Sequence, residues 1–164
     1  MTDDRKADWA RAARALPRGS VVVVRARDAG RRRALAEELY GLARLLIAGD
    51  SGLAEDMGAA GLHLPEARMR EAGHWRARHP DWIITSSAHS LHALMGTAHL
   101  DAVFLSPVFA TTSHPGAKSL TPERAALIAA QAQVPVYALG GVTVRNSVRL
   151  APSFSGIAAI TSLL

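Results

Sequence analysis

Residues 134–146, VPVYALGGVTVRN, run from an apolar stretch into two adjacent glycines. Lacking a Cβ, Gly140 and Gly141 let a strand turn sharply and let an anion lie against backbone N–H groups. A bare strand-to-helix turn is the other reading of the pair. A second stretch near the C-terminus, Ile160-Thr161-Ser162, offers amides and hydroxyls of the same kind. SVVVVRAR places Arg25 and Arg27 at the end of an apolar run, either as a surface basic pair or as guanidinium groups for a charged ligand. In IITSS, Ser87 is an anion contact or a helix cap, and ATTSH carries Thr111, Ser113 and His114. His63 and His89 also fall at strand ends. Both face the space the strand ends would enclose and are expected to pack or hydrogen-bond rather than catalyse, and no third ligand at a recognisable spacing makes them a metal site. His74, His79, His92 and His99 read as helix surface.

Such residues act together only if strand ends converge. The chain alternates short apolar runs with amphipathic segments. Strands are expected at 20–26, 44–50, 61–64, 81–87, 100–109, 134–141 and from 155 onward. Helices are expected at 5–15, 31–43, 51–60 (capped by Ser51), 65–79, 90–98 (capped by Ser90), 121–133 and 142–151. Thr121 followed by Pro122 is a favoured helix opening. Strands buried on both faces and separated by helices are the pattern of a parallel sheet with βαβ crossovers. A doubly wound sheet fits that pattern. Even spacing favours a TIM-type (β/α)8 barrel, although 164 residues fall short of the roughly 200 at the lower end for that fold. The shortfall sits at the front, where a helix precedes any strand. The expectation is therefore one domain, residues 1–164, lacking a complete first strand. Its unpaired edges would favour a homo-oligomer.

Composition narrows the function classes. Net charge is +5, but the arginines are scattered along helical segments with acidic residues between them and no interleaved aromatics. This argues against nucleic acid and suits steering of a small phosphorylated ligand. No apolar run approaches the roughly 20 residues that span a bilayer, and the N-terminus is too charged for a signal peptide. The absence of cysteine makes a cytoplasmic location the default.

The stretches GLHLPEA, IITSSAHS, DAVFLSPVFATTSH, VPVYALGGVTVRN and SGIAAITSLL occur in this order. Together they resemble the thiamine phosphate synthase/TenI family of compact (β/α)8 barrels, from about residue 16 to the C-terminus. Met1-Thr2-Asp3 is similar to the tail of that family's first strand. The resemblance implies coupling of a pyrimidine pyrophosphate to a thiazole phosphate in thiamine biosynthesis. The thiazole phosphate would lie at Gly140, Gly141, Thr161 and Ser162, at the ends of the seventh and eighth strands of a full barrel.

It implies Arg25, Arg27 and Ser87 on the pyrophosphate, with Thr111 and Ser113 keeping the hydroxyls of the family's F-x-T-x-T-K pattern. His114 replaces that pattern's lysine, so its charge would depend on pH. The resemblance also implies Mg²⁺, with Asp50 and Glu66 as the remaining carboxylates. The family's Gly-Gln-x-Asp reads Pro65-Glu66-Ala67-Arg68 here, so an arginine stands in place of a ligand. Two further readings stay open. One is a non-catalytic member that binds a phosphorylated ligand. The other is a thiazole tautomerase-like enzyme, whose acid–base histidine would fall at Ser106.

Overall fold

The computed structural model describes residues 1–2, 4, 8–111, 119–150 and 152–160. Seven strands form one sheet: β1 (Val21–Val24), β2 (Arg44–Ala48), β3 (Gly61–Leu64), β4 (Ile83–Ala88), β5 (Ala102–Leu105), β6 (Val136–Ala138) and β7 (Gly156–Ile157). Their spatial order is their chain order, and every pairing is parallel. Helices α1 (Trp9–Arg14), α2 (Ala29–Leu39), α3 (Ser51–Asp56), α4 (Ala72–Arg78), α5 (Leu91–Leu94), α6 (Pro122–Ala129) and α7 (Val144–Ser147) flank or connect them. The result is a parallel β/α half-barrel rather than a doubly wound sheet, because no strand order reverses.

Period-two alternation divides each strand between two environments. One face carries Val22 and Val24, Leu45 and Ile47, Leu62 and Leu64, Ile84, Val103 and Leu105, and Val136. All of these are buried in the core shared with the helices. The opposite face lines the barrel interior. There His63 pairs in register with Thr85, Ser87 with Phe104, and Phe104 with Tyr137. Small and polar residues on this inner face leave space at the C-terminal ends of the strands.

Several helices are shorter than their apolar periodicity suggests. The segment after β3 begins as a 3₁₀ turn, Glu66–Glu71, before α4 takes over. Ser90 and Thr121 cap their helices as expected. The cap of α3 is Asp50, one residue before the expected Ser51, its carboxylate accepting from the Leu53 N–H.

No strand precedes β1 among the described residues. Instead Met1-Thr2 spans the seam between the two edge strands. The Thr2 N–H donates to Val23 O (2.9 Å) and the Arg25 N–H donates to Thr2 Oγ1 (2.8 Å). On the other side the Met1 amino group donates to Ala159 O (3.1 Å). Helix α1 lies beside this seam with Trp9 only 5% exposed, and an apolar cavity of about 50 Å³ remains between them.

Candidate active site

At the C-terminal ends of the strands opens a cavity of about 380 Å³, lined by Arg25, His63, Glu66, Ser87, His89 and Ser106 among others. Most of its side chains continue the inward parity of their strands. Arg25 follows Val23, His89 follows Ser87, and Ser106 follows Phe104. That alternation aims residues far apart in sequence at one space.

Arg25 is a side-chain cation of this mouth, which Met1 with its charged amino group also lines. The arginine is exposed, and no described carboxylate pairs with its guanidinium. Below it, His63 is 3% exposed and bonded at both nitrogens, Nδ1 to Thr85 Oγ1 (2.9 Å) and Nε2 to Ser87 Oγ (3.1 Å). Burial first, and then the neighbouring Arg25 charge, push the imidazole down to about 3, so it is neutral at physiological pH. His63 therefore holds the Ser87 hydroxyl in place and carries no charge of its own. The expected hydrogen-bonding role fits this geometry.

His89 is more exposed and differently tied. Its Nδ1 lies 2.8 Å from Ser106 O and 3.3 Å from Ser106 Oγ, and its backbone N–H donates to Glu66 Oε2 (2.7 Å). A carbonyl can only accept, so Nδ1 carries the proton and a neutral ring keeps its lone pair on Nε2. From the sequence, His89 is expected to face the mouth in a packing or hydrogen-bonding role, and Ser106 enters only as a missing histidine. The inward parity of residues 87 and 89 is the signal for that orientation.

The other anticipated residues divide. Arg27 is exposed, does not line the cavity, and its N–H donates to Asp4 Oδ2 (3.4 Å). Gly140 and Gly141 adopt positive φ (88° and 64°) as the loop after β6 meets the loop after β5. A Cβ on Gly140 would lie 2.8 Å from Pro107 Cα, and one on Gly141 would strike Ala110 O and Phe109 Cβ. The pair is thus required for close loop packing. Among the described residues nothing accepts from either N–H. Thr111 is half-buried, one residue beyond that contact. Ser113, His114, Thr161 and Ser162 lie outside the described residues.

The two carboxylates expected to bind magnesium do not share one hollow. Asp50 Oδ1 caps α3 through the Leu53 N–H (3.0 Å) and Oδ2 accepts from Arg32 Nη1 (2.8 Å). It faces a different surface hollow, shared with Arg33 and Asp56. Glu66 reaches the mouth without Asp50, and no three His, Asp or Glu side chains converge among the described residues. His79, expected on the helix surface, stacks 3.8 Å from Trp82 and pairs with Glu55 (2.8 Å), because the chain turns back just after α4.

Known proteins share this architecture. A family model described as "Thiamine monophosphate synthase" matches residues 1–163. A relative from Aquifex aeolicus, named "Putative thiamine-phosphate synthase 2", is 34% identical over 116 residues, which cover 66% of this chain and 62% of the relative. The matched region thus spans less than two thirds of that relative's length. Among solved structures, thiamine phosphate pyrophosphorylase from Pyrococcus furiosus superposes with a TM-score of 0.77 at 20% identity, over 97% of this chain and 82% of its own. A cube-shaped, porous cage designed by fusing symmetric oligomeric domains matches with a TM-score of 0.60 at 14% identity, over 86% of this chain and 52% of its own. At these identities the two structures show the fold alone, and the first supports a TIM-type barrel.

Proposed function

Because this chain belongs to the thiamine monophosphate synthase family, we propose that its mouth couples a pyrimidine pyrophosphate to a thiazole phosphate. In that reaction the bond from the pyrimidine methylene carbon to the pyrophosphate oxygen breaks, and its electron pair leaves with the pyrophosphate. The thiazole nitrogen then donates its lone pair to the cationic carbon. Such chemistry needs stabilisation of the departing anion more than a general base. The observation that carries the reading is the unpaired Arg25 guanidinium in a cavity of about 380 Å³ at the strand ends. Ser87, held by neutral His63, adds a positioned hydroxyl. The free N–H groups of Gly140 and Gly141 are the candidates for the thiazole phosphate.

The test is product formation from the two precursors. Arg25→Ala is expected to lower turnover by about a hundredfold or more, the usual scale for removing one donor to developing charge. No turnover in the parent protein, with thiazole phosphate still bound, would leave the non-catalytic ligand-binding reading in its place.

A second reading is favoured by one specific observation. The imidazole of His89 lies against Ser106, where a tautomerase-like member would carry its acid–base histidine. With Nδ1–H tied to Ser106 O, Nε2 is a candidate base for proton transfer on a thiazole substrate. Tautomerisation without coupling, lost in His89→Gln, would select this reading over the first.

A further inference from the structure

The loops after β2 and β3 form one wall of the mouth, through Gly49, Pro65 and Glu66. A hard divalent ion there would need several converging oxygen ligands, and at this wall the only carboxylate oxygen without a hydrogen-bond partner among the described residues is Glu66 Oε1. Asp50 is spent on a helix cap and on Arg32. Glu66 Oε2 holds the His89 N–H. The Gly49 carbonyl accepts from Arg68 Nη1 at 2.9 Å. The same guanidinium forks Glu71, with Nε to Oε1 at 2.8 Å and Nη2 to Oε2 at 2.7 Å. Arg68 thus bridges the two loops and occupies the Gly49 carbonyl. Its pairing with Glu71 makes the clamp close to neutral, so Arg25 remains the unpaired side-chain cation of the mouth.

We propose that the mouth binds its anionic ligand without a divalent cation: Arg25 supplies the positive charge, the Asp50 and Glu66 carboxylates do not converge, and Arg68 takes up the Gly49 carbonyl that a metal could otherwise use. The inference rests on the pyrophosphate reading of the mouth, and the experiment separates the two. Inorganic pyrophosphate is titrated calorimetrically into the protein in EDTA and again in excess Mg²⁺. Because Mg²⁺ itself complexes pyrophosphate, the expected result is binding in EDTA at least as tight as in Mg²⁺, weakened about tenfold or more by Arg25→Ala. Arg68→Asp, which opens the clamp and places a carboxylate beside Gly49, should make binding respond to Mg²⁺. Circular dichroism on each variant distinguishes loss of binding from loss of fold.

If the parent protein binds pyrophosphate only with Mg²⁺, or about tenfold more tightly with it, the inference is overturned and the pyrophosphate reading stands. If the folded parent binds pyrophosphate under neither condition, the pyrophosphate reading fails and takes the inference with it.

Discussion

His63 shows how one buried group links the site to stability. Its folded value of about 3 lies below the ordinary histidine value near 6.5. The unfolded chain therefore binds a proton between those pH values while the folded one does not. The stability this group supports is fully present above about pH 6.5 and falls by about 1.4 kcal/mol per pH unit below it. Urea unfolding at pH 7.5 and pH 5 should show this loss, and His63→Gln should show a smaller slope. An equal slope in the variant would assign the acid sensitivity elsewhere. Gly141 makes a second case. A side chain there meets Ala110 O and the Phe109 Cβ, on a backbone with φ of 64°. Gly141→Val should cost about 2 kcal/mol or more and lower the melting temperature as well as phosphate affinity. Weakened binding with unchanged stability would instead mean that the glycine serves the ligand alone.

Among the elements, α3 explains the position of Asp50. A helix of six residues has few intrahelical bonds, so its cap weighs heavily. The same carboxylate balances Arg32, whose side chain is only 16% exposed and also donates to Ala26 O. Asp50→Ala removes the cap and leaves a half-buried charge unpaired, with an expected cost of about 2–3 kcal/mol. Asp50→Asn keeps a capping oxygen and should cost less than half as much. Differential scanning calorimetry of the two variants checks the order. If both were neutral, the carboxylate would have been free for another role.

Across the whole molecule the weak place is the seam. Strands β1 and β7 are not paired with each other, and Met1-Thr2 ties them by a few hydrogen bonds at the C-terminal end. Helix α1 completes the closure by packing Trp9, Ala12 and Ala13 against Val22 and Leu39. Trp9→Ala should cost about 3–5 kcal/mol, as for other buried tryptophans. Amide exchange should be slowest in β2 to β5 and fastest in β7, an edge strand of two residues. Mass-resolved exchange tests this directly, and strong protection of β7 would point to a partner covering that edge. Part of the positive surface charge is neutralised in ion pairs. Arg32, Arg33, Arg68, Arg76, Arg78 and Arg149 all pair with carboxylates. No helix among the described residues is long and apolar enough to cross a membrane.

All seven strands were legible in the sequence, because a β-branched or apolar run between turn residues declares itself locally. Runs such as VVVV and RLLIA need no tertiary knowledge to be read. The parallel order followed from the helices between them, and the missing first strand from the count. Helix lengths were less legible, since 3₁₀ turns and early caps depend on packing that periodicity does not encode. For the site, the sequence was enough to select Arg25 and Ser87 as residues at strand ends. It did not show that Asp50 faces a different hollow, that Arg27 stays out of the cavity lining, or that His89 bonds Ser106. Two carboxylates at the right chain positions have the same composition whether or not their lone pairs are already taken. Only the folded chain brought Arg32 to Asp50 and Arg68 to Gly49, across 18 and 19 residues of sequence. Those contacts, made between loops and helices distant in the chain, decided which charges face the cavity.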